Sequence, residues 1–222
     1  MCGRFTLRTP VKVVAKAFGV TDAPEVEAHY NIAPTQDILT VHRGADGRGM
    51  RFLKWGLVPS WAKDVSIGAR LINARSETIT EKPAFRKAFK SRRCLIPADG
   101  FYEWGTSGGR KQPFYIRMRD ERPFGFAGLW DRWKGEDSAS FESCAIITTG
   151  ANEVVGQVHD RMPVILHPEI YDLWLDEDER QSELRKELLQ PYPAEEMTIY
   201  PVSALVNSPQ NRGAELIKPL PS

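Results

Sequence analysis

The chain has 222 residues, 41% of them apolar and 27% charged, a length and balance that build one folded domain with a sizeable core and exclude a disordered or fibrous chain. Lys and Arg total 30 against 29 Asp and Glu, so the net charge of +1 points to no partner, and a nucleic-acid face has to come from local clustering. Three cysteines (Cys2, Cys94, Cys144), odd in number and far apart, and four histidines without ligand spacing exclude a disulfide framework and a zinc site. No metal, no cofactor and a reducing compartment are therefore expected. The start of the chain lacks an apolar signal core, and no run approaches the roughly 18 apolar residues of a membrane span, so a cytoplasmic protein, nucleoid-associated if bacterial, is expected.

In chain order, residues 10–18 carry apolar side chains at helical spacing and predict a short helix ending at Gly19. Residues 21–35, broken by Pro24 and Pro34, read as irregular, with a fixed turn at 30–34. Alternating residues at 38–42 and 50–55 predict two strands joined by a loop at 44–49, and 70–75 a short strand or strand end. The stretch 81–90 predicts an amphipathic helix with Phe85, Ala88 and Phe89 inward. Strands are predicted at 93–98 and 100–104, then a glycine-rich hairpin at 106–110. Further strands are expected at 113–118, 124–130, 141–149 and 197–201, with a helical turn at 150–152 and short helices at 168–175 and 182–189. Strands dominate without βαβ alternation, which predicts an α+β fold on a mainly antiparallel, curved sheet in a single domain, 1–222.

Chemistry concentrates first at Met1-Cys2-Gly3-Arg4-Phe5. Removal of Met1 is expected because cysteine is small, and it leaves a thiol and a free α-amine on adjacent carbons. The amine can condense with an aldehyde to a Schiff base, and the thiol can close a five-membered thiazolidine on the same carbon. Both groups react near neutrality, with pKa values of about 8 and about 8.5. The plain alternative is a frayed terminus with an accidental cysteine.

Four further clusters stand out. Leu71-Ile72-Asn73-Ala74-Arg75-Ser76-Glu77 reads either as a buried strand delivering Asn73 and Arg75 at its end, or as a turn with a surface ion pair. Ala98-Asp99-Gly100-Phe101-Tyr102-Glu103-Trp104 sets a glutamate among aromatics. Alternation puts Glu103 on the face of Phe101, and an inward carboxyl would have a raised pKa suited to general acid–base work. His159-Asp160-Arg161 offers a histidine that titrates in the useful range and a candidate phosphate ligand, although a lone histidine is more often structural. Lys82 to Arg93 holds six basic residues and no acid. With Arg4, Arg70, Arg75 and Arg161 it could line a phosphate-binding face, on which Trp61 would stack against a base. A solvated helix face is the alternative.

Taken together, these residues resemble the SRAP family (SOS response-associated peptidase), whose members crosslink to abasic sites in single-stranded DNA. The resemblance rests on Cys2 to Phe5, Tyr30 to Pro34, Trp55-Gly56 with Pro59 and Trp61, and Asn73 to Thr78. It continues through Ala98 to Trp104, His159 to Pro163, and Asn207 with Ala214 to Pro219, seven blocks in order over nearly the whole chain. One small departure is Thr148-Thr149-Gly150-Ala151, where an extra glycine precedes the alanine. The resemblance implies a pseudo-barrel with flanking short helices. It implies Cys2 as nucleophile, Asn73 holding the Cys2 region and the sugar, Glu103 moving protons, and His159 as a second proton carrier. It further implies phosphate contacts by Arg4, Arg75, Arg86 and Arg161, and Tyr30 and Trp61 shaping the path of the strand. The implied partner is single-stranded DNA with abasic sites, including single-/double-strand junctions. β-Elimination of the strand and self-processing at the residue before Cys2 are the implied side activities. The protein is expected to act as a monomer.

Two other classes compete. Met-Cys-Gly at a chain start also resembles N-terminal-nucleophile glutamine amidotransferases, but the Asn-Gly expected of their oxyanion hole occurs nowhere in the chain. A non-catalytic binder of modified DNA would use the basic face and leave Glu103 and His159 without a task.

Overall fold

The computed structural model describes residues 2–44, 47–107, 109–135, 139–178 and 181–221. Its strands in chain order are β1 (Phe5–Leu7), β2 (His29–Ile32), β3 (Asp37–Gly44), β4 (Gly47–Trp55), β5 (Asn73–Arg75), β6 (Arg93–Ala98) and β7 (Gly100–Ser107). They continue as β8 (Arg110–Met118), β9 (Phe124–Lys134), β10 (Ser140–Gly150), β11 (Arg161–Pro163), β12 (Ile165–Leu166) and β13 (Met197–Pro201). Four short helices flank them: α1 (Val11–Ala17), α2 (Arg86–Ser91), α3 (Tyr171–Leu175) and α4 (Ser182–Glu187).

Five strands close on themselves in the order β10-β4-β3-β6-β9, because β9 pairs with both β6 and β10. The closed barrel has one parallel seam, β10–β4, and is otherwise antiparallel. Closure leaves these five strands without a free edge, which removes the usual route to edge-to-edge association. A second, wholly antiparallel sheet, β13-β8-β7-β1-β2, packs beside it. The core lies between the two: Phe5 of the sheet meets Trp55 and Phe126 of the barrel edge-on at 5.3 and 5.8 Å, and Phe101 meets Phe126 at 6.0 Å. Such edge-to-face aromatic pairs add about 0.5–1.5 kcal/mol each beyond area burial.

Strand β7 is buried on both faces. Phe101 enters this core, while Tyr102 joins a smaller cluster with Tyr115, Val202, Val206 and Leu216 on the outer face of the sheet. At Gly100 a Cβ would lie 2.4 Å from the Tyr115 ring and 2.7 Å from the Ile116 carbonyl, so only glycine lets β7 and β8 approach there.

The elements differ from the sequence reading in definite ways. The region 21–35 contains strand β2, because pairing to β1 supplies partners that its own residues do not advertise. The turn there falls at Pro34-Thr35, where Thr35 has φ of 71°. Strands β3 and β4 run on to Gly44 and Gly47, and the tip at 45–46 lies outside the described residues. Likewise β7 and β8 reach Ser107 and Arg110, leaving 108 outside them. The helix expected over 81–90 is Arg86–Ser91, although Phe85, Ala88 and Phe89 do point inward. Gly150 ends strand β10, and the helical turn comes later, at Val155–Gln157. Among the described residues, no helix is long and apolar enough to cross a membrane.

Candidate active site

Strand β10 is the hinge of the site. Its first half belongs to the barrel; its last residues leave the barrel and carry β5 on one side and β11 on the other. Asn73 thus pairs with Ile146, and Arg161 with Gly150, so two segments far apart in sequence flank one strand end. From the other sheet, β1 and β7 pair with Phe5 opposite Phe101, and the Tyr102 amide donates to the Arg4 carbonyl at 3.0 Å. Carried on, that register sets Glu103 beside Gly3 and next to Cys2.

Cys2 is fully buried, with a relative exposure of 0%. The Asn73 side-chain amide donates from Nδ2 to the Cys2 carbonyl at 2.9 Å, which fixes the start of the chain against β5. Asn73 Oδ1 is buried and has no hydrogen-bond partner among the described residues, so it stands ready to accept a donor entering the site. Burial pushes the Cys2 thiol well above its ordinary pKa, and the negative charge of Glu103 adds to this. The thiol is therefore held protonated, an S–H rather than a thiolate.

Glu103 is 2% exposed. Desolvation is the largest of the causes that raise its carboxyl to about 7, and the charge of Asp160 is a smaller one in the same direction. That electrostatic link also places the His159–Asp160 segment near Glu103. A carboxyl titrating near neutrality can both take and give a proton at working pH. His159 accepts the Arg161 backbone N–H at Nδ1 (2.9 Å), which leaves the proton of the neutral ring on Nε2. Partial burial holds its pKa below the usual value, so the ring is neutral at pH 7. Protonation at Nδ1 would instead direct that nitrogen to the Asp160 carboxylate, 3.0 Å away.

Beside Asn73 opens a groove of about 360 Å³ lined by Trp61, Arg75, Lys82, Pro83 and Phe85 among others. Trp61 is 59% exposed on its rim. On α2 the residues Arg86, Lys87 and Lys90 are exposed, and with Lys82 they form a cationic edge. The cluster is smaller than the sequence suggests. Arg93 is buried and donates to the carbonyls of Phe89, Trp174 and Asp176, and Arg92 is bound to Asp131.

Three residues expected at the nucleic acid have structural engagements instead of open faces. Arg4 donates to Asn31 Oδ1 and the Val206 carbonyl, both at 2.7 Å, and to the Asn207 carbonyl at 3.2 Å. Burial lowers its pKa. Arg161 grips the Glu77 carboxylate with both Nη atoms at 2.5 and 3.0 Å. Tyr30 is half-buried against the Tyr102 cluster, and its carbonyl accepts the Tyr102 hydroxyl at 2.7 Å.

Sequence reading missed the residue behind this arrangement. Asn31 is fully buried and donates to the carbonyls of Val206, Ser208 and Asn211 at 2.9–3.2 Å, fastening the C-terminal segment over the sheet. Trp104 Nε1 adds a bond to Asn207 Oδ1 at 2.8 Å. The position of Asn31 inside the Tyr30–Pro34 block was its only signal. Among the described residues no group of three or more His, Cys, Asp or Glu is placed to hold a metal ion.

Fold and site together define a two-sheet protein that buries Cys2 beside a carboxyl titrating near neutrality, next to a groove with a cationic edge. Residues 1–209 match the family described as SOS response associated peptidase (SRAP), and the chain belongs to that family. It is 45% identical to the abasic site processing protein YoqW of Bacillus subtilis, over 98% of this chain and 99% of that one. It is 30% identical to the abasic site processing protein YedK of Escherichia coli, over 99% and 100% of the two chains. With the abasic site processing protein HMCES of Xenopus tropicalis it shares 31% identity over 87% of this chain and 67% of the other. A crystal structure of a Bacteroides thetaiotaomicron protein superposes with a TM-score of 0.88 at 27% identity, covering 99% of this chain and all of that one.

Proposed function

We propose that the chain, acting as one SRAP domain over 1–222, captures abasic sites in single-stranded DNA by forming a thiazolidine with Cys2 once Met1 is removed. The observation that carries this reading is the hydrogen bond from Asn73 to the Cys2 carbonyl, with a buried Glu103 titrating near neutrality beside it. The names of the relatives, all abasic site processing proteins, support the lesion as the substrate.

The chemistry then runs through residues already described. The ring-opened sugar presents an aldehyde. The Cys2 amine, its proton passed to the Glu103 carboxylate, adds to the carbonyl carbon, and the carbinolamine loses water as Glu103 returns the proton to the departing hydroxyl. The Cys2 sulfur adds to the imine carbon, its proton goes to the nitrogen, and the five-membered ring closes. A protonated thiol suits this order, because it leaves the amine to react first. His159, with its proton on Nε2, serves as the second donor during sugar ring opening. Asn73 Oδ1 accepts from a sugar hydroxyl. Trp61, Arg75 and Arg86 hold the strand in and beside the groove, while Arg4, Arg161 and Tyr30, engaged within the fold, act on its path through the segments they fix. An imine left open to solvent permits β-elimination, so strand cleavage accompanies slow ring closure, and the peptidase label fits release of the residue before Cys2. The protein works as a monomer on single strands or junctions.

The test mixes Met1-processed protein with a single-stranded oligonucleotide carrying one abasic site and weighs the denatured product. The expected result is a product heavier than the protein by the oligonucleotide less one water, absent with Cys2→Ala. Wild type that binds the oligonucleotide and yields no such species would overturn the reading.

A further inference from the structure

The pairing of Arg161 with Glu77 has no part in the chemistry above, yet it spans the two segments that carry the proposed proton carrier and the proposed sugar ligand. Glu77 lies in the turn Ser76–Thr78, directly after β5 and four residues beyond Asn73. Arg161 begins β11, two residues beyond His159. Between the two segments runs the end of β10, where Thr148 pairs with Arg75 on one side and Pro163 on the other. The Arg161 guanidinium crosses that strand end. It holds the Glu77 carboxylate through both Nη atoms and donates from Nη2 to the Thr148 carbonyl at 2.7 Å and to Thr148 Oγ1 at 3.1 Å. The Arg161 side chain is 13% exposed and that of Glu77 53%, so the guanidinium is held within the fold while the carboxylate meets water, and the two-pronged geometry fixes the orientation of the pair. The Arg161 hydrogen bonds hold the Glu77 carboxyl below its usual pKa, which keeps it charged throughout the neutral range.

We infer that Glu77 is a positioning residue: through Arg161 it clamps the Asn73 strand and the His159 segment across the end of β10, so that the two faces of the site keep a fixed separation. This rests on the function proposed above. The same backbone that bears the guanidinium sets the imidazole, because the Arg161 N–H donates to His159 Nδ1. Loosening the fork therefore loosens the ring and the Asn73 amide together. The competing role for Arg161 is a phosphate ligand whose fork Glu77 merely occupies in the absence of DNA. The two roles give opposite signs. If Glu77 only masks Arg161, removing its charge improves capture. If it clamps, removing its charge slows the reaction of bound DNA without weakening binding.

The experiment measures Kd on an uncleavable abasic analogue, and the single-turnover adduct rate at saturating DNA, for Met1-processed wild type, Glu77→Gln, Arg161→Lys and the double variant. Clamping predicts that Glu77→Gln lowers the rate by about 10- to 100-fold, as a misplaced reacting group does. Its Kd stays unchanged or tightens, because a negative charge near the DNA has been lost. Arg161→Lys keeps the charge and loses the fork, so it slows the rate similarly, and the double variant is no slower than the worse single one. A Glu77→Gln rate equal to wild type, a faster one, or additive losses in the double variant would each overturn the inference. Wild type with no adduct would instead remove the proposed function. The clamp would then be read from the His159 imidazole resonances of the DNA-free protein, which move in Glu77→Gln if Arg161 positions that ring and stay in place if it does not.

Discussion

The floor of the site and its rim are built on opposite principles. The floor, Cys2 and Glu103 with Asn73 above them, is dry and is held by two sheets that meet. The rim, Trp61 and the cations Arg75, Lys82, Arg86, Lys87 and Lys90, is solvated and sits on a loop, a strand end and a short helix. Burial gives floor residues altered proton affinities and couples each to its neighbours. Rim residues meet solvent and one another only loosely, so their effects on binding are small, additive and sensitive to salt. Burying a carboxyl at the floor thus comes at the expense of stability, while the rim can change without disturbing the fold.

That contrast can be broken most directly at Cys2. Cys2→Ala is expected to abolish the denaturant-stable adduct while Kd for abasic DNA stays within a few-fold, as read by gel and by fluorescence anisotropy. An adduct that survives would move the nucleophile elsewhere. Cys2→Ser should retain the amine and show strand cleavage in place of a stable ring.

Glu103→Gln should slow adduct formation by about 10²- to 10⁴-fold, the usual contribution of a positioned proton carrier. Its stability should change in the other direction. The folded carboxyl titrates near 7 against an ordinary 4.5, so the folded chain holds the proton more tightly. Stability from this group is therefore full below about 4.5 and is lost as pH rises through about 7. The neutral amide escapes that loss and should be more stable than wild type by on the order of 1–3 kcal/mol at pH 8, and level with it near pH 4. Urea titrations at the two pH values check this, and equal differences at both would mean that Glu103 is not penalised for its charge.

Asn31→Ala sharpens the comparison from the structural side. It takes the Asn31 donor from the Ser208 and Asn211 carbonyls and one acceptor from Arg4, which keeps the Val206 and Asn207 carbonyls, and should cost about 1–3 kcal/mol in chemical denaturation with little dependence on pH. Trp61→Ala should weaken single-strand binding by about 1–3 kcal/mol, the range for one stacked base, with Tm unchanged. The smallest effect is expected from Arg86→Ala: a few-fold in Kd and a drop of about 0.7 in the salt slope, if it meets one phosphate. A change in adduct rate at saturating DNA for either rim variant would erase the distinction between floor and rim.

Much of this was legible in advance. Strands 93–98 and 197–201 coincide with β6 and β13, because a short apolar run (Cys94-Leu95-Ile96) and a run of strand formers (Thr198-Ile199-Tyr200) leave the backbone little choice. Glu103 was legible as inward from its alternation with Phe101. Less legible were β2 and the role of Arg4, because both depend on partners remote in sequence: β2 on β1, and Arg4 on Asn31 and the tail. The basic run from Lys82 to Arg93 was misread in part for the same reason, since composition counts charges and does not show that Arg93 is turned inward to three carbonyls.

By itself the sequence showed the candidate chemistry, Cys2 in Cys-Gly-Arg-Phe with Asn73, Glu103 and His159 in their own blocks, and the strand-rich character that periodicity enforces. Its ordered blocks determined the family. Only the tertiary structure decided that five strands would close into a barrel, that β10 would leave it to carry Asn73 and Arg161 on either side, and that Glu103 would lie dry beside Cys2. The reason is physical. Local patterns fix which face of a strand is apolar, whereas proton affinities and hydrogen-bond partners depend on which distant segments exclude water from the same few ångströms.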